Sequence, residues 1–210
     1  MFIVSNRYPD DYNERRCLLI PSGKPTKATE MIDENRLPVS RRLIYEGRKI
    51  ELALDTLTLN DGTTAEREVI LHRGAVALVP MVDQDHVCLV KNMRYSVREI
   101  LWEVPAGTID HNEHPDLTAA RELTEETGYK AERITKLRQW FVSPGFLNEV
   151  MHLYLCEGLT AVGAAPELDE NLEPVVVPWS EALAMAYDGR IRDAKSILSI
   201  LLVDQLRNNS

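Results

Sequence analysis

The chain is poor in several features that mark other classes of protein. It has three cysteines, Cys17, Cys88 and Cys156, and no CxxC pair, so we expect buried or incidental thiols in a reducing compartment. It has no apolar run of 18 residues, and its first residues lack the apolar core of a signal peptide. A cytoplasmic protein that does not enter a membrane is therefore expected. The 24 basic residues are outnumbered by 33 acidic ones, which disfavours general binding of nucleic acids or anionic membranes.

The strongest pattern in the chain lies in residues 107–129, which read GTIDHNEHPDLTAARELTEETGY. Glycines, acids and one arginine recur there with the spacing G-x5-E-x7-R-E-U-x-E-E-x-G-U, where U is an aliphatic residue. The seven specified positions are Gly107, Glu113, Arg121, Glu122, Glu125, Glu126 and Gly128. Leu123 fits the first aliphatic position, whereas Tyr129 departs mildly from the last. By chance, seven such identities arise in roughly one in a million chains of this length.

This spacing predicts a helix that carries acids on one face. Pro115 suits the first turn of the helix, and Gly128 suits a left-handed residue at its end. Glu122, Glu125 and Glu126 stand at i, i+3 and i+4, so three carboxylates share one side and repel one another. A solvated acidic face would explain three glutamates alone, but not the glycines and arginine in register with them. A divalent cation with oxygen ligands removes the repulsion, so we predict a site for Mg2+, with Mn2+ as the alternative.

The order of predicted elements favours an α/β (α+β) protein made of two parts. Residues 1–42 are polar and lack sustained periodicity, whereas residues 43–72 read as strands joined by the turn Asn60-Asp61-Gly62. From residue 73, apolar runs mix with helical patterns, VVVPW is expected to close the sheet, and two helices end the chain. We predict an N-terminal region, 1–72, with a small mostly-β domain at about 43–72. A domain over 73–210 then layers helices on both faces of a mixed sheet.

The spaced residues of 107–129 are those of the Nudix box, and the chain resembles the Nudix hydrolase family. Over residues 43–205 it is also similar to the ADP-ribose pyrophosphatase subfamily, through REVILHRGAVALVP, KNMRYSVREILWEVPAG, the SPG turn and GRIRDAKSILSILL. The resemblance implies a Nudix-type helix–sheet–helix sandwich and Mg2+-dependent hydrolysis of the diphosphate bond of a nucleoside diphosphate sugar. ADP-ribose is the expected substrate, and AMP and ribose 5-phosphate are the expected products. Such enzymes are commonly homodimers whose N-terminal β domain reaches across to the partner, so a homodimer is expected.

The resemblance also assigns roles to residues of the box. Glu122 and Glu126 are the surest metal ligands, and Glu125 and the carbonyl of Ala106 are expected to join them. Arg121 is expected to fix the carboxylates through a charge-assisted hydrogen bond.

A general base is expected outside the box, on the loop PELDENLEP before the last strand. Related enzymes carry a catalytic glutamate on this loop. Glu170 aligns best with it, counted back from VVVPW, and Glu167, Asp169 and Glu173 remain alternatives. The loop lacks apolar anchors, which fits a lid that orders over a bound substrate.

Substrate binding is assigned to residues on both sides of the box. Arg67 and Arg94 stand where the resemblance places arginines that hold the diphosphate, although a surface salt bridge is the alternative for each. Pro144 stands where the subfamily carries a proline. Where related enzymes have an aromatic residue that stacks on adenine, the segment YEGRKIEL offers Arg48 and Lys49, which weakens the case for adenine.

Two other functions remain open. One is a related pyrophosphatase that acts on GDP-mannose or another nucleoside diphosphate sugar. The other is a Nudix-fold sensor that binds a nucleotide metabolite without cleaving it. A sensor predicts a decayed box and an added DNA-binding segment. Every charged position of the box is intact, however, and the first 72 residues are neither basic nor typical of a helix-turn-helix.

Overall fold

The computed structural model describes residues 3–4, 38–163 and 172–209. These residues fall into two compact units. The smaller unit contains residues 38–72 and 145–148, and the larger contains 3–4, 73–144, 149–163 and 172–209. None of the helices in the described ranges is long and apolar enough to cross a membrane.

The strands and helices follow one another in the order β1 Ile3–Val4, β2 Ser40–Glu46, β3 Ile50–Thr58, β4 Thr64–His72, β5 Ala75–Pro80, β6 His86–Arg94, β7 Glu99–Glu103, β8 Ala106–Thr108, α1 Pro115–Thr127, β9 Tyr129–Phe141, β10 Val150–Ala161, β11 Leu172–Pro178, α2 Trp179–Asp188 and α3 Ala194–Asn208.

The smaller unit is an antiparallel sheet with β3 between β2 and β4. The predicted turn joins β3 to β4. There Leu59 N–H donates to the Thr63 carbonyl at 2.7 Å, and Gly62 has a φ of 83°, which suits glycine. β2 begins at Ser40, three residues before the predicted start at Leu43. The earlier start could not be predicted, because all seven residues of β2 are exposed and one face is not set apart as apolar.

The larger unit contains two sheets. The five-stranded sheet has the order β1-β9-β10-β5-β8 and is mixed, since β10 runs parallel to β5 and antiparallel to β9. The second sheet has the order β11-β6-β7 and is antiparallel. The prediction that VVVPW closes the mixed sheet was therefore wrong. β11 contains this segment and pairs with β6, whose other edge is taken by β7, while only an isolated bridge from Met81 to Val87 links β6 back to the end of β5.

The core of the larger unit lies on both faces of the mixed sheet. Successive residues of β5 alternate between the two faces: Val76 and Leu78 pack in the cluster under α1, and Ala77 and Val79 pack in the cluster under α2 and α3. All six residues of β5 are buried, as expected for a strand that is covered on both sides. This arrangement confirms the predicted helix–sheet–helix sandwich.

Helix α1 has the ends that its sequence predicts. Pro115 occupies the first turn, and the preceding His114 caps it by accepting from the backbone N–H of Asp116 at 3.3 Å. Gly128 ends the helix with a φ of 72°, and its N–H donates to the Thr124 carbonyl at 3.0 Å. The buried Leu123 anchors the helix in the core cluster below it. The acids of the helix are thus held at a fixed position beside β8.

Candidate active site

Two of the three box glutamates on α1 are buried. Glu122 is 7% exposed and Glu126 is 2% exposed, while the side chain of Glu125 retains 30% of its exposure. Burial of a carboxylate is costly unless the charge is paired and hydrogen-bonded. The contacts around this helix therefore determine whether the acids can be held there.

Arg121 supplies the pairing charge. Its Nη1 donates to Glu122 Oε1 at 2.7 Å and to Glu125 Oε2 at 2.9 Å. Its Nη2 and Nε donate to the two oxygens of Glu113 at 3.0 and 3.3 Å. One guanidinium thus binds three carboxylates, and the hydrogen bonds that Arg121 donates to Glu113 hold the pKa of Arg121 above its ordinary value.

Glu113 anchors this arginine from the loop that precedes α1. Its carboxylate accepts from the Thr118 hydroxyl at 2.8 Å in addition to Arg121. Hydrogen bonds from Arg121 lower the pKa of Glu113, so it stays ionised. The sequence placed Glu113 in the box without a role, and the structure shows that it fixes Arg121 from the side opposite Glu122 and Glu125.

Gly107 leaves room for the carboxylate of Glu122. A Cβ atom at Gly107 would lie 1.9 Å from Cδ of Glu122 and 2.0 and 2.4 Å from its two oxygens. The Glu122 carboxylate thus occupies the space that a side chain at residue 107 would need, and glycine lets it lie against β8. The backbone of β8 also contacts the helix directly, because Ala106 N–H donates to Glu126 Oε2 at 2.8 Å.

The carboxylates have the chemistry of a divalent-metal site. Carboxylate and carbonyl oxygens are hard donors that suit Mg2+ or Mn2+, and the cradle at Gly107 brings Glu122 against the backbone next to Ala106. Within the described ranges, no three acidic, histidine or cysteine side chains are close enough to hold an ion as they stand. The hydrogen bonds of the cluster account for this, since Glu122 and Glu125 are turned toward Arg121 and Glu126 toward the Ala106 N–H. Carboxylate oxygens gathered in this way are hard donors of the kind that fits a divalent ion.

Arg94 lies near this cluster and is paired with an acid that the sequence analysis did not single out. Its Nε and Nη2 donate to the two oxygens of Glu103 at 2.7 and 2.5 Å. Glu103 is 1% exposed, and Lys195 Nζ also donates to it at 2.5 Å. The hydrogen bonds that Arg94 donates to Glu103 raise the pKa of Arg94, and the charge of Glu126 adds to this effect. An isolated acid within the apolar stretch ILWEVPAG was the available signal for Glu103.

The remaining predicted residues lie on other elements of the chain. Arg67 belongs to the smaller unit and donates to the Glu66 carbonyl at 2.9 Å. Pro144 lies in an exposed turn. Of the four candidate bases, Glu173 is exposed, with Lys91 Nζ at 3.4 Å. The other three, Glu167, Asp169 and Glu170, lie outside the described residues.

Comparison with known proteins agrees with this fold and box. The model of the NUDIX domain matches residues 71–199. The chain is 35% identical over 164 residues to the ADP-ribose pyrophosphatase of Bacillus subtilis, covering 77% of this chain and 89% of that protein. It is 32% identical over 154 residues to a GDP-mannose pyrophosphatase of Klebsiella pneumoniae, covering 65% and 77%. A crystal structure of an ADP compounds hydrolase superposes with a TM-score of 0.72 at 22% identity, covering 83% of this chain and 96% of that one.

The layered fold, the box helix and these relatives together define a hydrolase. The chain belongs to the Nudix family. The resemblance to ADP-ribose pyrophosphatases is confirmed at the level of sequence, while the solved structure shows the fold alone. A non-catalytic sensor is not supported, because each charged residue of the box takes part in the cluster described above.

The close contact between Gly107 and the Glu122 carboxylate can be tested by substitution. We expect Gly107→Ala to weaken Mn2+ binding by about 10- to 100-fold, because the added methyl displaces the Glu122 carboxylate. Calorimetric titration of Mn2+ into the purified protein measures this change.

Gly62→Ala is the matched control for that substitution. It adds the same methyl in a hairpin turn where nothing lies within 4 Å, at the cost of a strained φ alone. The control is expected to bind Mn2+ as the unchanged protein does. Equal Mn2+ affinity in Gly107→Ala and the unchanged protein would show that Glu122 does not hold the metal.

Proposed function

We propose that this protein hydrolyses the diphosphate bond of ADP-ribose in a Mg2+-dependent reaction, giving AMP and ribose 5-phosphate. One observation carries the proposal: Arg121 of α1 binds Glu122 and Glu125 of the same helix and Glu113 of the preceding loop. The same helix buries Glu126 against β8. Similarity to an ADP-ribose pyrophosphatase over most of both chains supports the choice of substrate.

The metal would be held by the acids of α1. In this proposal Glu122, Glu125 and Glu126 supply carboxylate oxygens, and the carbonyl of Ala106 joins them. Held there, Mg2+ would supply charge neutralisation for the diphosphate oxygens and would lower the pKa of a water molecule. Because the guanidinium of Arg121 already holds Glu122 and Glu125 side by side, little side-chain freedom remains to be lost on binding.

The substrate would be oriented by arginine. Arg94 offers a planar fork for the diphosphate, and its charge opposes that of the phosphate oxygens. Arg67 is retained as a second diphosphate ligand and Pro144 as part of the substrate site. Proton removal from the attacking water is assigned to Glu170. Attack of this water on one phosphorus breaks the bond to the bridging oxygen, which leaves as part of the second phosphate.

A panel of substrates tests the reaction and its specificity. We expect ADP-ribose with Mg2+ to yield AMP and ribose 5-phosphate, with a kcat/KM at least about 10-fold above that for GDP-mannose, a difference of 1.4 kcal/mol. Chromatography of the nucleotide products measures both rates. Higher kcat/KM for GDP-mannose would favour the alternative substrate, which the Klebsiella relative and the basic pair Arg48 and Lys49 support.

Two variants control the panel. Glu126→Gln removes one ligand charge and is expected to abolish Mg2+-dependent turnover, so near-normal hydrolysis by this variant would refute the metal assignment. Glu181→Gln removes a carboxylate that pairs with Arg190 on the exposed surface, and it is expected to leave the rate unchanged.

We also propose a homodimer in the cytoplasm. Support for the dimer comes from β2, where Leu43, Ile44 and Tyr45 are 47%, 44% and 59% exposed, an apolar surface that a second copy would cover. Light scattering is expected to give twice the chain mass of 23.9 kDa. Ile44→Asp should shift it toward one chain mass, whereas Leu198→Asp on α3 should not. A single chain mass for the unchanged protein would contradict the dimer.

A further inference from the structure

Glu103 is the most deeply buried acid among the described residues. It ends β7, three residues before Ala106, where the β8 segment that contacts α1 begins, and only 1% of it is exposed. Two cations bind it there: Arg94 through two hydrogen bonds, and Lys195 through one. A buried acid of this kind is tolerated only when cations pair with it fully, because removing one partner leaves a buried charge that nothing compensates.

The N-terminus of α3 completes the charge balance. Lys195 Nζ donates to Asp193 at 2.8 Å as well as to Glu103, so two cations alternate with two acids. Asp193 caps α3 by accepting from the Ser196 N–H at 3.1 Å. The Ser196 hydroxyl in turn accepts from the Val104 N–H at 2.8 Å. The strand end at Glu103 is therefore tied to α3 through both its backbone and its side chain.

This network fixes the orientation of Arg94. Its Nε and Nη2 are committed to Glu103, so the opposite edge of the guanidinium, with Nη1, points away from that acid. Glu103 stands three residues before Ala106, whose N–H donates to Glu126, so the pair formed by Arg94 and Glu103 lies next to the strand that contacts the box carboxylates. An arginine held by two parallel hydrogen bonds keeps one geometry and loses little entropy when it binds a phosphate.

We propose that Glu103 is a positioning residue for the substrate: it holds Arg94 so that the Nη1 edge meets the diphosphate, with Lys195 balancing its charge. This inference deepens the proposed function and rests on it, since it requires a diphosphate beside the box. Glu103 itself touches neither the substrate nor the metal. Its contribution passes through Arg94 alone, and this separates it from a residue that only stabilises the fold.

Binding of a diphosphate that does not react tests the inference. Methylenediphosphonate with Mg2+ carries two linked phosphonates and neither nucleoside nor sugar. We expect Glu103→Gln to weaken its binding by about 10- to 100-fold in calorimetry, because the guanidinium loses its fixed orientation. In an Arg94→Gln background the same substitution is expected to add less than about 3-fold, since the residue through which it acts is gone.

The matched control is Glu157→Gln, which removes a carboxylate from a pair with Arg133 on the exposed surface and is expected to leave binding unchanged. Unchanged binding by Glu103→Gln, or an equal loss with and without Arg94, would overturn the inference, as would a failure of the unchanged protein to bind methylenediphosphonate.

If Glu103→Gln does not fold, Glu103→Asp keeps the charge on a shorter side chain. Glu103→Asp is then expected to weaken the binding of methylenediphosphonate, while its melting temperature stays within a few degrees of that of the unchanged protein. Binding without hydrolysis of any nucleoside diphosphate sugar would refute the proposed function and leave this inference standing.

Discussion

The site depends on one arginine among like charges. Glu113, Glu122 and Glu125 all accept hydrogen bonds from Arg121, while Glu126 lies one helical turn beyond Glu122. Four acids in so small a volume repel one another, and α1 alone would be destabilised by them. The guanidinium neutralises part of this charge and fixes the direction of the three carboxylates that it binds, while Glu126 is held by the Ala106 N–H. The helix can therefore display these acids and remain packed on the core through Leu123.

The segment before the box is held from two sides, and this is what brings the site together. On one side, Ala106 and Gly107 lie against Glu126 and Glu122 of α1. On the other, Glu103 and Val104 are tied to the N-terminus of α3. Helices α1 and α3 pack on opposite faces of the same sheet. The short segment 103–107 therefore connects the acids of α1 to the pair formed by Arg94 and Glu103. A rigid support of this kind is what precise positioning of a diphosphate requires.

Local features of the site could be read from the sequence, and its long-range pairings could not. The ends of α1 followed from Pro115 and Gly128, and the shared face of the acids followed from their spacing. The pairing of Glu103 with Lys195 joins residues 92 positions apart and depends on how α3 packs, which no local pattern encodes. The sheet that contains β11 was missed for the same reason, because an apolar run does not specify which neighbour it pairs with.

Arg121→Lys gives the most direct measurement of the central claim, that the fork of this arginine arranges the metal ligands. Lysine keeps the positive charge but offers a single donor point instead of a planar fork. Titration of Mn2+ followed by electron paramagnetic resonance is predicted to show an affinity lowered by about 10-fold or more, in protein that stays folded. Unchanged Mn2+ affinity in this variant would mean that charge alone suffices, and would contradict the account.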